Sequence, residues 1–240
     1  MPANSSCCWV RPAAENPLVF SNLRRAPITL LTRIRDIPGV NAVEGRVVFD
    51  ATLDVPGLDE PASARLVSLS TTPDSQLNRV NIRSGRMIEA GNKNEVLASE
   101  SFATANALRP GDTLDAIING RKETLRIVGV AISPEYVTEI KGSGAFPDNK
   151  RFGVLWMSYD ALAAASNLQH AFNDVAITLA PHASAPQVIE NWTSCWRRMV
   201  RSAPMPARIS CRIIFWKTNW RRIASPARYC RRFSLGWPHS

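Results

Sequence analysis

Cysteine is missing from the whole middle of this 240-residue sequence. The five cysteines are confined to the two ends: Cys7, Cys8, Cys195, Cys211 and Cys230. A body without thiols needs no disulfide, and it offers neither a cysteine nucleophile nor a thiolate metal site.

Acidic residues are missing from the last 50 residues, 191–240, which hold eleven of the 29 lysines and arginines. Residues 1–190 therefore carry 18 basic against 20 acidic side chains, and the formal charge of +9 belongs to the tail. Because the body is close to neutral, its composition does not indicate a basic domain that binds nucleic acid.

Long apolar runs are also missing. No stretch approaches the roughly 20 apolar residues that span a bilayer, and the N-terminus, MPANSSCCWVRPAAENP, lacks the basic-then-apolar pattern of a signal peptide. As written, the chain is expected neither to cross a membrane nor to be exported, so it would be cytoplasmic if expressed alone. Residues 1–19 show little pattern and are expected to be poorly ordered.

Motifs for metal binding and catalysis are not found. His170, His182 and His239 show no metal-ligand spacing, and the sequence contains no HExxH, Walker A loop or GxSxG elbow. We interpret His170 and His182 as polar loop residues rather than ligands.

Paired carboxylates occur at Glu135 and Glu139 and at Asp59 and Glu60. They could act as a general acid and base, but spacing alone cannot place them across a substrate, and solvated surface charge is the favoured interpretation.

Two serines and one sequon complete the candidates. Ser99 and Ser101 have no evident basic partner, which favours helix capping over nucleophilic catalysis. The sequon Asn191-Trp192-Thr193 is interpreted as a chance match. We therefore predict no catalytic, cofactor-binding or metal-binding residue, no cofactor and no enzymatic activity.

The first ordered region is predicted to be a helix followed by a hairpin. The segment RRAPITLLTRIRDIPGV favours a helix with Pro27 in its first turn and an end at Pro38. Next, NAVEGRVVFDATLDV and ARLVSLS have the composition of paired strands. The apolar face of the helix consists of Leu30, Leu31, Ile34 and Ile37.

The next region is predicted to be mostly β. Its strands are RMIEA, EVLAS and the two arms of DTLDAIINGRKETLRIVGVAIS, in which Asn119-Gly120 predicts an exposed hairpin turn. Between them, SESFATANAL is typical of a short helix capped by Ser99 or Ser101.

The last region predicts alternating elements: RFGVLWMS a strand, YDALAAASNL a helix, NDVAITLA a strand and SAPQVIENW the start of a helix. This order favours a βαβ unit packed on a sheet. The residues expected to be buried there are Val154, Leu155, Trp156, Val175, Ile177 and Leu179.

The predicted fold class is α+β, with a discontinuous α/β layer. We assign residues 20–78 and 150–192 to this layer, 79–149 to a mostly β insertion and 193–240 to an irregular or disordered basic tail.

The body resembles the extracytoplasmic core domain of FtsX/MacB-type ABC transporter permeases. The resemblance covers roughly residues 20–190, and its segments are IPGVNAVEGRVV, the run from LNRVNIRSGR to AISPEYV, FPDNKRFGVLWM and AFNDVAITLAP. The pattern GR..E.G..NEVL.SE.FA.AN.L..GD.L and the motif SPEYV are its most specific parts.

The resemblance implies a porter-like layer interrupted by a β-rich subdomain, and a role in transport without covalent chemistry. In the intact family protein, an ABC ATPase subunit, and in some cases a second permease subunit, would drive a domain that acts on periplasmic cargo or a partner protein. Such a protein lies in the inner membrane. Because the flanking transmembrane helices are not in this sequence, ATPase coupling is not expected of the chain alone.

The tail is interpreted as out of frame. A second reading frame joins the last base of each codon to the first two bases of the next codon. In that frame, the segment after Glu190 can encode LDxLLAPYG, which would close the domain with a helix. Restoring that reading after Glu190 is expected to raise the thermal midpoint. The alternative is that the tail makes this a basic-tailed protein that binds nucleic acid or membrane surfaces.

Overall fold

The computed structural model describes residues 18–21, 25–69, 77, 79–89, 91–136, 147–202 and 212–215. Predictions for residues 1–17, for Glu139 and for His239 lie outside these residues, as do most of those for the tail.

The described chain contains more strand than helix, as expected for a mixed α and β fold. One 3-10 turn is found in the described residues, at Pro134–Tyr136. The helices are α1 (Leu30–Arg35), α2 (Glu100–Ala105), α3 (Tyr159–Ala165) and α4 (Ala185–Ser202). The strands are β1 (Leu18–Ser21), β2 (Ala26–Pro27), β3 (Val40–Arg46), β4 (Val48–Asp54), β5 (Ala62–Leu69), β6 (Asn81–Gly85), β7 (Glu95–Ser99), β8 (Thr113–Ile118), β9 (Arg121–Ile132), β10 (Phe152–Ser158), β11 (Ala171–Phe172), β12 (Asp174–Leu179) and β13 (Arg212–Phe215).

The largest sheet, which we call the barrel sheet, has seven strands in the order β6-β9-β7-β10-β5-β4-β8, and β8 also pairs with β9. Six of its strands therefore form a closed ring. The closure depends on the length of β9, whose first half pairs with β8 and whose second half pairs with β6 and β7. A closed ring leaves few strand edges free to pair with other chains.

Apolar side chains alternate between the two faces of the barrel sheet along its strands, and each face therefore carries a hydrophobic core. On β5, Ala64 and Leu66 belong to the cluster inside the ring, whereas Val67 belongs to the cluster outside it. All seven residues of β10 are buried because both of its faces are covered. Phe102 of α2 and Leu162 of α3 join the inner cluster.

The second sheet, which we call the open sheet, has the order β13-β1-β12-β3, and every described pairing in it is antiparallel. One of its faces packs on α1 and α4. This contact forms a separate core that includes Ile34 and Ile37 together with Val175, Ile177, Val188 and Trp192.

Several predictions of local structure are confirmed. The predicted face of α1 packs into the core. Asn119 and Gly120 form the exposed turn between β8 and β9, with φ values of 49° and 77°. Of the residues expected to be buried, Leu179 alone is only partly buried.

Other local predictions are wrong. Pro27 lies in β2 and not in α1, because its segment pairs with β11. Residues 86–89 of the segment RMIEA do not form a strand. The strand here is the preceding β6, which ends at Gly85 with a φ of 81°, and this conformation turns the chain away.

The predicted βαβ unit is also wrong. The strands on either side of α3, β10 and β12, lie in different sheets, because β12 pairs with β1 and β3 and β10 pairs with β5 and β7. The barrel sheet likewise crosses the predicted subdomain limits, since β4, β5 and β10 join β6–β9.

Two segments of the predicted tail are regular. Helix α4 extends to Ser202, and β13 pairs with β1 in the open sheet. No helix in the described part of the chain has the length and apolar character needed to cross a membrane.

Candidate functional site at the junction of the two sheets

The chain passes from the open sheet to the barrel sheet through a single residue. Strand β3 ends at Arg46 and β4 begins at Val48, with the fully buried Val47 between them. Ser68 of β5 fixes this residue from the barrel side: its Oγ accepts from Val47 N at 2.9 Å, and its own N donates to Val47 O at 2.8 Å. The crossover is therefore held to β5 by two hydrogen bonds.

Asn173, the residue before β12, fixes the same crossover from the other side. Its Oδ1 accepts from Val48 N at 2.8 Å and its Nδ2 donates to Val48 O at 2.7 Å. Its backbone N donates to Arg46 O at 3.1 Å. One side-chain amide thus satisfies both backbone groups of Val48, the first residue of the barrel sheet at this point.

Arg46 is the centre of a buried ion cluster at the same place. Its Nε and Nη2 donate to Asp174 Oδ1 at 2.9 and 2.5 Å, and its Nη1 and Nη2 donate to the two Glu135 oxygens at 2.5 and 2.9 Å. The Arg46 and Asp174 side chains are only 4% and 3% exposed. Burial alone would lower the pKa of Arg46, but the two carboxylates outweigh it and raise that pKa well above its ordinary value.

Glu135 reaches the cluster because β9 ends in the turn Ser133–Tyr136. Ser133 is buried, and its Oγ accepts from Glu135 N at 3.3 Å. Tyr136 packs edge-on against Trp156 of β10, with ring centroids 6.3 Å apart and an interplanar angle of 69°. Burial raises the pKa of Tyr136, so its hydroxyl stays neutral. The motif SPEY therefore anchors the end of β9 and aims one carboxylate at the open sheet.

A second polar cluster organises the loop between β6 and β7. Glu95 accepts from Arg86 Nη1 and Nη2 at 2.9 and 2.5 Å, from Asn92 Nδ2 at 3.0 Å and from Glu89 N at 3.0 Å. These bonds, led by the Arg86 side chain, lower the pKa of Glu95 to about 2. Arg86 and the Glu89 amide of the pattern GR..E.G..NE thus meet around the Glu95 carboxylate, together with Asn92 from a variable position of the pattern. This explains why residues 86–89 do not extend as a strand.

Comparisons with known proteins give matches in structure alone. No family model matches this sequence, and no curated protein does. The chain is similar to the extracellular domain of the noncanonic ABC-type transporter YknZ from Gram-positive bacteria, with 12% identity, a TM-score of 0.49 and coverage of 83% of this chain and 99% of that one. It is also similar to the periplasmic region of MacB from Actinobacillus actinomycetemcomitans, with 12% identity, a TM-score of 0.47 and coverage of 77% and 84%.

The first of these solved structures is an extracellular domain and the second is a periplasmic region.

The structure describes three of the four carboxylates that the sequence paired, and Glu139 lies outside the described residues. Glu135 belongs to the ion cluster with Arg46, whereas Asp59 and Glu60 are exposed and Glu60 pairs with Arg151 at 2.7 Å. Arg46 and Asp174, the other two members of this cluster, were not among the residues predicted from the sequence. The available signal was the position of each charged residue inside an apolar strand pattern, Arg46 before VVF and Asp174 before VAI.

The predicted serines and histidines have structural positions. Ser99 occupies the residue before α2, but its Oγ accepts from Val154 N at 3.3 Å and gives no side-chain cap to the helix. Ser101 lies within the first turn of α2 and is partly buried. His170 and His182 are exposed turn residues with φ values of 57° and 69°.

A hollow of ≈ 350 Å³ lies beside the turn that carries Glu135. Asn81, Ser101, Tyr136 and Trp156 are among its lining residues. Within the described ranges, no three His, Cys, Asp or Glu side chains are grouped so as to hold a metal ion. The arrangement at the junction can bear load between two sheets, since it combines a short backbone link with a buried ion cluster.

Proposed function

We propose that this chain is the periplasmic core domain, as a fragment, of an ABC transporter permease. In the intact protein the domain transmits an ATP-driven conformational change to cargo or to a periplasmic partner protein. It performs no covalent chemistry and needs no cofactor. The intact protein lies in the inner membrane, with this domain on the periplasmic side.

The observation that carries the proposal is the use of the motif residues. Arg86 and Glu95 of one motif stabilise the loop between β6 and β7, and Glu135 of the other connects the barrel sheet to Arg46 of the open sheet. Residues that could have formed a reactive site instead hold elements together. Such contacts suit a domain that moves as one rigid body or as two rigid bodies. Rigid-body movement is a common form of conformational switching.

In the finer form of the proposal, residues 20–78 and 150–192 form the porter-like layer and residues 79–149 form the β-rich insertion, which shares the barrel sheet with β4, β5 and β10. An ABC ATPase subunit supplies the driving force from the other side of the membrane, with a second permease subunit in assemblies that need one. Nucleotide state biases the relative population of two arrangements of these parts.

The nucleotide sequence around codon 190 and over the next few hundred bases is the first test. The expected result is a displaced frame that encodes LDxLLAPYG and then apolar segments of membrane-spanning length. A displaced frame that is interrupted by stop codons, or that encodes no such segment, would count against the proposal.

The mechanical role is tested in the restored, membrane-inserted permease expressed with its ATPase. Hydrogen exchange is measured by mass spectrometry without nucleotide and with ATP trapped by a hydrolysis-deficient ATPase. We expect nucleotide to change the exchange of peptides covering 40–54 and 131–136, which meet at the junction. Exchange that is insensitive to nucleotide throughout the domain contradicts the transmission of a conformational change.

The alternative, a basic-tailed protein that binds nucleic acid or anionic membranes, is tested by deleting residues 191–240. The full chain and residues 1–190 are compared for binding to duplex DNA and to anionic vesicles over a range of salt concentrations. Strong, salt-sensitive binding by residues 1–190 would contradict the division into a neutral body and a basic tail.

A further inference from the structure

The two carboxylates that bind Arg46 come from different sheets. Asp174 lies directly opposite Arg46 in the antiparallel register of β3 and β12, so this pair is internal to the open sheet. Glu135 lies 89 residues from Arg46 along the chain, in the turn after β9 of the barrel sheet. Of the bonds that Arg46 makes to these two carboxylates, those to Glu135 cross from one sheet to the other and those to Asp174 do not.

The charges of the three side chains make the two carboxylates unequal. Arg46 with Asp174 is neutral as a pair, and Glu135 adds one negative charge. If Glu135 moves away, the open sheet keeps a paired buried guanidinium, and breaking up a buried pair is the costly step. If Asp174 is lost, Arg46 keeps one partner but the strand pairing β3–β12 loses its own ion pair.

Exposure and backbone context favour Glu135 as the mobile partner. Its side chain is 9% exposed against 3% for Asp174, so it lies nearer to water. It is held by a three-residue turn, whereas Asp174 begins a strand paired on both sides. Rotation of one side chain at the rim can carry the Glu135 carboxylate into solvent without breaking a strand ladder.

The backbone crossover at Val47 stays in place when that side chain leaves. Val47 is bound to Ser68 of the barrel sheet, and Val48 is bound by the amide of Asn173 at the edge of the open sheet. These four side-chain and backbone bonds do not involve Glu135. They give the two sheets a fixed point about which one can tilt relative to the other.

We propose that Glu135 is a releasable latch: its ion pair with Arg46 locks the open sheet against the barrel sheet, and its release lets the sheets tilt about the Val47 crossover. Asp174 keeps Arg46 neutralised in both states. The device is a property of the isolated chain and does not depend on the transport function proposed above.

The test compares E135Q, D174N and D50N in the full chain by hydrogen exchange and thermal unfolding. E135Q keeps the size of the side chain but removes its charge, which weakens a charge-assisted pair. We expect amide exchange in peptides covering 40–48 and 131–136 to rise by about tenfold in E135Q. Exchange in 95–99 and 152–158, the barrel core, should not change.

D174N should behave differently, since Asp174 is the permanent partner. We expect it to lower the thermal midpoint more than E135Q does and to raise exchange throughout β3 and β12. D50N is the matched control, because Arg65 and Asp50 form a two-bond pair between adjacent strands of the barrel sheet alone. It should leave exchange at the junction unchanged.

Three results would overturn the proposal. Unchanged exchange at the junction in E135Q would mean that the Glu135 pair does not hold the sheets. A uniform rise over the whole chain would make the pair a general stabilising contact. A rise at the junction in D50N equal to that in E135Q would show that the effect is not specific to the bond between the sheets.

Discussion

At the scale of single residues, Glu95 gives a prediction that depends on pH. Replacing it in E95Q removes the negative charge on which Arg86, Asn92 and the Glu89 amide converge. Because hydrogen bonds to a charged group contribute about 1.5–3 kcal/mol, we expect E95Q to lower the free energy of unfolding at pH 7 by roughly that amount. Chemical denaturation at fixed temperature measures it.

The sign of the pH dependence follows from the lowered pKa. Glu95 has a folded-state pKa of about 2, below its ordinary value of 4.5, so its contribution is complete above pH 4.5 and is lost as pH falls through about 2. The stability difference between the wild type and E95Q should therefore shrink over that window. E100Q is the control, since Glu100 is exposed and 3.8 Å from Arg83, and it should change stability by less than about 0.5 kcal/mol. A difference that is constant from pH 7 to pH 2 contradicts the assignment.

Single residues also show what the sequence could and could not predict about the site. The sequence pattern paired Glu135 with Glu139, because such a pattern shows only residues that are close together along the chain. The ion-pair partner of Glu135 is Arg46, which is 89 residues away and is shared with Asp174. Pairing of this kind depends on how two sheets meet. Local propensity and periodicity do not contain that information.

At the scale of elements, the packing of α2 on β10 predicts the effect of one methyl group. A Cβ at Gly153 would overlap the ring of Phe102, which is fully buried. G153A should therefore lower the free energy of unfolding by about 1–3 kcal/mol, as is typical of overpacking.

The double variant G153A/F102L separates this steric effect from an effect of alanine on the strand. Leucine removes the ring, so the loss in the double variant should be smaller than the sum of the losses in the two single variants. Urea unfolding of the four proteins measures this coupling. Additive losses would show that the overlap with Phe102 is not the cause.

Elements with strong local signals were predicted correctly, as were the pairings of β4 with β5 and of β8 with β9. Two other predictions were wrong. The turn at Asn119-Gly120 and the apolar run of β10 follow from residue preferences within a short window. By contrast, RMIEA has strand-like residues but curves around Glu95, and β10 and β12 flank a helix but join different sheets. In both cases a partner outside the segment decides the structure.

At the scale of the whole molecule, the two sheets combine segments that are far apart in sequence. The barrel sheet takes β4 and β5 from before the predicted insertion and β10 from after it. The sequence predicted a discontinuous body but assigned these strands to the other part. The crossover between the sheets at Val47 has no turn signal in the sequence, because residues typical of strands continue through it.

The packing of α4 sharpens the prediction about the displaced reading frame. Trp192 is 3% exposed and lies one helical turn after Val188, in the core with Ile34. An apolar side chain is therefore required at position 192. Inserting LDxLLAPYG directly after Glu190 places an aspartate there, whereas inserting it after Asn191 places a leucine there and further leucines at 195 and 196, the next positions on the same helical face.

We therefore expect the two restored chains to differ, and the rise in thermal midpoint expected from the sequence for restoration after Glu190 is now expected for restoration after Asn191. The version restored after Asn191 should have a higher thermal midpoint than the version restored after Glu190, because an aspartate buried among apolar side chains is strongly unfavourable. The variant W192A of the present chain measures the contribution of this side chain. Its loss should lower the free energy of unfolding by about 3–5 kcal/mol. Differential scanning calorimetry of the four proteins decides the matter. If the version restored after Glu190 is the more stable one, or if W192A leaves the midpoint unchanged, α4 does not pack against the open sheet through position 192, and the closing helix must have another register.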